Sequence, residues 1–263
     1  MQFFTGVSYR HCLVLRNKEN NLGELVPPHD ISGKCVGEYL PKSEENYFLF
    51  ELMKKCHEVL KNHPINLERI KRGKRPANSI WLWGNGTKKQ LPSFREKFGL
   101  NASVISAVDL IKGIGKLTKM EVIDVPGATG YIDTNFKGKA LAAISAFNRG
   151  SDLVYLHLEA PDECGHRFEI ENKVKSLEII DEEVLSPIVD ALNKTGDYKI
   201  MILPDHPTPL ALKTHTGDPV PFLIYHKNDE KESGVTTFNE DTAAQTGKFI
   251  ENGSDIMSIF ISE

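Results

Sequence analysis

From about Ala102 onward, short runs rich in branched apolar residues alternate with longer segments of helical periodicity, and this alternation narrows the fold more than any other feature. Glu121–Val125 predicts a strand, and Lys137–Phe147 a helix with Ala and Leu on its buried face. Leu153–Glu159 predicts a second strand, followed by a helix from about Ile170 to Lys194. Strands at Tyr198–Leu203 and Val220–Tyr225 come next, then a closing helix near Ser254–Ile261. Strands alternating with helices predict an α/β fold whose mostly parallel sheet is flanked by helices. In such sheets ligands gather beyond the carboxyl ends of the strands.

The first hundred residues differ in texture. Loop-rich stretches such as VPPHDISGK, KNHPIN and KRGKRPANS surround one clear helix, roughly Ser43 to His63. There Phe48, Leu49, Leu52, Cys56 and Leu60 recur at helical spacing, and Pro64 helps to end the helix. Ile80–Trp83 reads as a short strand leading into the Gly84-Asn85-Gly86 turn. The expected division is therefore residues 1–100 and residues 101–263.

Composition narrows the function. Lys plus Arg total 32 against 36 for Asp plus Glu, a formal net charge of -4. That balance lacks the basic excess of a nucleic-acid-binding protein. No apolar run approaches the length of a transmembrane helix, and the first residues lack a signal-peptide layout. Neither nucleic acid nor membrane is an expected partner. Cys12, Cys35, Cys56 and Cys164 form no C-x-x-C pair, which favours reduced thiols and a cytoplasmic location.

Three clusters of Asp and His fall beside predicted strands: Asp162 and His166 in PDECGH, Asp205 and His206 in PDHPTP, and His215 in THTGDP. A single Asp-His pair in a loop is ordinarily a turn residue beside a surface histidine. Five such residues at one sheet edge instead offer mixed oxygen and nitrogen donors suited to Mn²⁺ or Zn²⁺. The spacing Asp162-x-x-x-His166 can place both side chains on one ion from a tight turn. Asp205 and His206, adjacent at a strand end, can reach neighbouring positions. Gly84-x-Gly86 and Lys112-Gly113-Ile114-Gly115-Lys116 fit neither phosphate-loop fingerprint, which weakens a conventional ATP-dependent reading. His157 reads as a core histidine, and His57 and His63 as helix-face and turn residues.

The segments LHLEAPDECGH, LPDHPTP and THTGDPVPFLIY resemble the metal-ligand segments of the cofactor-independent phosphoglycerate mutase family of archaeal type, within the alkaline phosphatase superfamily. GVSYRH, PPHDISGK, RPANSIWLWG, ISAVDLIKGIG and DVPGATGYIDTN extend the resemblance over almost the whole chain, particularly to a bacterial branch sometimes labelled a proposed homoserine kinase. The resemblance implies an alkaline-phosphatase-like metal domain, of which residues 101–263 are the C-terminal portion. Residues 1–100 would be part of a smaller inserted α+β domain that closes over the substrate.

It also implies two divalent metals, Mn²⁺ or Zn²⁺ with Mg²⁺ as a third choice. One would be held by Asp162, His166 and His215, the other by Asp205 and His206. A further Asp and a nucleophilic Ser that becomes phosphorylated would lie on a stretch preceding the first residue here, so these residues alone should be inactive. The implied reaction interconverts 3-phosphoglycerate and 2-phosphoglycerate. The alternatives are transfer to or hydrolysis of another small metabolite, as in a homoserine kinase, or a non-catalytic module that binds metal or a phosphometabolite. A phosphorylated carboxylic acid needs cationic or bidentate donors. Arg10, His29, Asp30, Arg75, Asn78 and Lys112 are the candidates, although Arg75 lies in the basic run KRGKR, which a solvated face also explains. A small phosphorylated metabolite is the expected partner, and the chain could form a homo-oligomer.

Overall fold

A computed structural model of the chain describes residues 1–6, 9–16, 22–31 and 33–262, with the His29 side chain outside the described set. Two compact units divide it: Met1–Thr5 with Arg10–Lys89, and Gly6–Tyr9 with Gln90–Glu263. Among the described residues no helix is long and apolar enough to cross a membrane.

In the first unit, β1 (Gln2–Phe4) pairs antiparallel with β2 (Cys12–Val14). The predicted helix forms as α1 (Tyr47–Leu60), burying Leu49 and Met53. Pro64 ends nothing further on: it opens a second helix, α2 (Pro64–Lys71), where its missing N–H costs nothing in the first turn. The buried Asn66 amide binds this helix to the loop beyond it. Its Nδ2 donates to the carbonyls of Leu60 and Ala77, and its Oδ1 accepts from the Ala77 N–H, all within 2.9 Å. Ile80–Trp83 is not a strand. Its Trp81 indole N–H donates to the Val26 carbonyl at 2.8 Å, so a side chain rather than a β-ladder fixes the segment.

The second unit begins with α3 (Phe94–Phe98), closed by a Ser93/Glu96 capping box. The strand β3 (Ala102–Ile105), buried along its whole length, lies at the centre of a parallel sheet. It is flanked by β4 (Glu121–Ile123) and β5 (Leu153–Leu156) in the order β4-β3-β5. The helices α4 (Asp109–Leu117) and α5 (Phe136–Asn148) connect these strands. Gly115 lets α4 lie close to the sheet: a Cβ there would overlap the Val104 Cγ1 methyl and come within 3.3 Å of Val122 Cγ2. On α5 the buried face is narrower than predicted. Ala140, Ala143 and Ala146 point inward, whereas Leu141 is 65 % exposed.

β5 stops at Leu156 rather than Glu159, because Glu159 already caps α6 (Ala160–His166). One long helix was expected after it. The observed run is α7 (Ile170–Ile179), a π-helical segment at Ile180–Leu185, and α8 (Ser186–Leu192). The widening comes immediately before Pro187, whose ring would crowd the carbonyl four residues back and has no N–H to donate to it. Phe136, Ala140, Ala160 and Val184 form a buried cluster with Leu156, Leu158, Ile179, Ile180 and Ile188 packed on it. This cluster fixes the start of α6 against α5 and the π-helical segment. The strands β6 (Lys199–Ile202) and β7 (Leu223–His226) pair antiparallel as a separate ladder rather than extending the parallel sheet. Two short helices, α9 (Glu240–Gln245) and α10 (Ile256–Ser262), close the described chain.

Candidate metal centre

Asp162 and His166 stand one helical turn apart on α6, so they share a face. A helix, not a tight turn, brings them together. Pro161 at the first turn and the acidic pair Asp162 and Glu163 beside the helix N-terminus favour that conformation. Asp205 and His206 follow β6, and His215 lies on the long loop between β6 and β7.

These residues converge. His166 Nε2 is 3.0 Å from His215 Nε2, and Asp162 Oδ1 is 3.4 Å from the first and 3.3 Å from the second. His206 stacks on His215 with ring centroids 3.7 Å apart. Donor atoms of Asp162, His206 and His215 all lie within 4.8 Å of one another. Asp205 Oδ2 sits at the open side of the group, 3.5 Å from His206 Nε2. His206 therefore joins Asp205 to the Asp162/His166/His215 trio.

The surroundings orient the donors. The Lys213 carbonyl lies 2.9 Å from His166 Nδ1. A carbonyl only accepts, so Nδ1 carries the hydrogen and Nε2 of the neutral ring turns its lone pair toward Asp162 and His215. Thr208 is buried beside them, with Oγ1 2.5 Å from Asp162 Oδ1 and 3.3 Å from His206 Nδ1. Lys173 on α7 donates to the Thr208 carbonyl at 2.9 Å. Burial lowers the Lys173 pKa, and the nearby Asp162 carboxylate opposes that shift. Mixed imidazole and carboxylate donors that face one another across 3.0–3.5 Å suit a divalent transition metal.

Beside the cluster lies a layer of which the sequence singled out only His157, expected in the core and found half-buried just past β5. Lys139 on α5 is 1 % exposed, and its ammonium lies 3.4 Å from the His157 carbonyl. Its position on the Ala143 and Ala146 face of the helix is the sequence signal that could have found it. Burial pushes its pKa down to about 8, with Glu159 pulling the other way. Burial also lowers the His157 pKa, while the Asp205 and Asp162 carboxylates oppose the shift. His157 Nδ1 lies 3.1 Å from Ser106 Oγ.

The Lys139 shift has a measurable sign. Below about pH 8 the folded and unfolded chains both hold the proton, so the full cost of burying the ammonium is present. Between about 8 and the ordinary lysine value of 10.5 the unfolded chain binds more protons, so stability rises with pH. Urea midpoints at about pH 7 and about pH 10 should show wild type gaining up to about 3 kcal/mol relative to Lys139→Met. An unchanged difference between the two proteins would contradict the buried ammonium.

Lys112, in the first turn of α4, is ion-paired with Asp124 at 2.6 Å. Arg10, Asp30, Arg75 and Asn78 belong to the first unit. Asp30 lies in a 3₁₀ turn, Pro28–Ile31, together with His29, whose side chain lies outside the described residues. Arg75 and Asn78 are in the loop after α2, where their carbonyls accept from Arg69 Nε at 3.0 Å and bond the His57 ring at 2.8 Å.

The profile described as the metalloenzyme superfamily matches residues 17–263. A curated protein of Geobacter sulfurreducens, named a probable 2,3-bisphosphoglycerate-independent phosphoglycerate mutase, is 49 % identical over 260 residues, 99 % of this chain and 65 % of its own length. A Methanosarcina barkeri protein named a 2,3-bisphosphoglycerate-independent phosphoglycerate mutase is 45 % identical over 263 residues, 99 % of this chain and 66 % of its own. The chain thus spans just under two thirds of the length of these curated relatives. A Pyrococcus horikoshii protein of solved structure is similar with a TM-score of 0.61 and 33 % identity, covering 78 % of this chain and 53 % of its own.

Proposed function

The chain belongs to the metalloenzyme superfamily, and from that premise we propose a metal-dependent phosphotransferase that interconverts 3-phosphoglycerate and 2-phosphoglycerate. The observation that carries this reading is the convergence of Asp162, His166, His206 and His215, with Asp205 beside them, in a chain 49 % identical to a protein named as such a mutase. Asp162, His166 and His215 would hold one divalent ion, and Asp205 with His206 a second, Mn²⁺ or Zn²⁺ being the best match to imidazole and carboxylate donors. Ions bound there supply Lewis acidity for phosphoryl oxygens and stabilise charge on the attacking and leaving groups.

The remaining work belongs to the protein's own groups. Lys213 holds His166 in the tautomer whose Nε2 faces the cluster. Lys173 ties the Asp205–Thr208 loop to α7. The phosphoryl-accepting serine that the family resemblance implies would lie on sequence outside these 263 residues, splitting the transfer into two in-line steps. We read residues 1–100 as part of an inserted domain that closes over the substrate, and 101–263 as part of the metal domain. Arg10, His29, Asp30, Arg75, Asn78 and Lys112 would be substrate-binding groups, the cationic ones among them meeting the phosphate and carboxylate, for which guanidinium is the usual fork.

The whole protein, supplied with manganese and 3-phosphoglycerate, should form 2-phosphoglycerate. Failure to form it with the metal loaded would overturn the mutase assignment. Release of inorganic phosphate, or product that depends on ATP and homoserine, would overturn it in favour of a different phosphoester reaction at the same centre.

A further inference from the structure

Thr208 is buried where three parts of the second unit meet. Its carbonyl accepts from Lys173 on α7, its main chain lies against Gly165 on α6, and its hydroxyl faces both Asp162 and His206. That hydroxyl has one proton to give. Asp162 Oδ1, at 2.5 Å, belongs to a carboxylate that can only accept, so the proton goes there. Toward His206 Nδ1, at 3.3 Å, Thr208 Oγ1 can then act only as an acceptor. The hydrogen on that line must come from the imidazole. In its neutral form His206 therefore carries its proton on Nδ1 and presents a bare Nε2.

The bare nitrogen has a counterpart. Asp205 Oδ2 is 3.5 Å from His206 Nε2, so with the ring neutral two electron-pair donors face one another with no hydrogen between them. Such a pair repels unless a cation bridges it. The Lys213 carbonyl produces the same condition at His166 by a different route. Two supporting oxygens, one from a main chain and one from a side chain, thus each set the free lone pair of one imidazole of the cluster.

From this proton count we propose that Thr208 is a positioning residue: it sets His206 in the Nδ1–H tautomer and so presents Nε2, with Asp205, to a divalent cation. This assignment rests on the metal reading of the site. The tautomer itself does not require metal to be present, which separates the two in experiment. Supporting partners of this kind typically govern metal affinity by about 10- to 100-fold.

The experiment has two arms. In the first, ¹⁵N chemical shifts of the imidazole rings are recorded in metal-free protein, well above the ordinary histidine titration range. Wild type and Thr208→Ser should both show His206 protonated on Nδ1, and Thr208→Val should show a mixture or the opposite tautomer. In the second, Mn²⁺ and Zn²⁺ are titrated calorimetrically into all three proteins. Thr208→Val should bind about 10- to 100-fold more weakly, and Thr208→Ser should recover wild-type affinity. A structural role alone would leave the tautomer unmoved and would not distinguish serine from valine this way. Wild-type His206 protonated on Nε2 would overturn the proposal. So would equal metal affinity in the valine variant. Wild type that shows the Nδ1–H tautomer but binds no metal would overturn the metal reading while leaving the tautomer assignment standing. Should the valine variant fail to fold, the wild-type tautomer and the serine variant still decide the matter.

Discussion

Replacing Asp162 with alanine should abolish tight metal binding, and with it the phosphoryl transfer proposed above for the whole protein, while leaving the fold in place. One oxygen of this carboxylate carries three relationships at once: Oδ1 lies 2.5 Å from Thr208 Oγ1, 3.3 Å from His215 Nε2 and 3.4 Å from His166 Nε2. Loss of a supporting partner around a metal costs about 10- to 100-fold in affinity, and loss of a charged ligand shared by several donors should exceed that. The expected fall is therefore more than about 100-fold in Mn²⁺ affinity, with the proposed turnover of the whole protein falling at least in proportion. The fold should survive because α6 is anchored on its other side, through the buried Ala160 and Cys164. What the helix itself loses is a first-turn acid near the dipole, about 0.3–1 kcal/mol. Calorimetric metal titration and a thermal melt of metal-free protein read the two effects separately. An Asp162→Ala protein with wild-type affinity would remove this residue from the centre. Asp162→Asn should fall between the two, since it keeps an oxygen acceptor and loses the charge.

The sequence made the chemistry of this site more legible than its backbone. Donor types and chain order were readable, because Asp and His beside strand ends are scarce enough to stand out as a set. The helix beneath Asp162 and His166 was not. Cys164 and Gly165 read locally as a turn, yet Pro161 at the helix start and the acidic first turn outweigh them once Ala160 is buried against Phe136 and Val184. The central strand β3 escaped notice as a strand because four residues, one of them Ser103, give too short a pattern to separate from loop. Its identity comes from being paired on both sides, which is a long-range fact. The antiparallel pairing of β6 with β7 is likewise a long-range fact, made across the loop that carries His206 and His215. Buried single residues such as Lys139 and Thr208 were hidden for a related reason. Their roles depend on what faces them across the unit, and a linear sequence records only what adjoins them.

Gly165 shows how narrow those facing distances are, and it should tolerate an added methyl poorly. A Cβ at this position would stand 2.7 Å from the Thr208 carbonyl oxygen, 2.9 Å from Thr208 Cγ2 and 3.0 Å from Lys173 Nζ. The first of these is main chain, which cannot swing aside as a long side chain would. Gly165→Ala must therefore push the Asp205–Thr208 loop away from α6, although alanine is the better helix former by about 1 kcal/mol. Overpacking of this kind costs about 1–3 kcal/mol, outweighing the propensity gain and lowering Tm by about 2–10 °C for a chain of this size. The displacement acts on the site as well, because it lifts the Thr208 hydroxyl from Asp162 and His206. Metal affinity should then fall about tenfold or more, the cost of a lost supporting partner. Gly113→Ala supplies the contrast. It lies in the helix α4 with nothing within 4 Å of the added carbon, so the same substitution should stabilise the protein by about 0.5–1 kcal/mol and leave metal binding untouched. Parallel melts and metal titrations of the two variants decide the point: a Gly165→Ala protein as stable and as metal-avid as Gly113→Ala would show that α6 and the loop do not need their close approach.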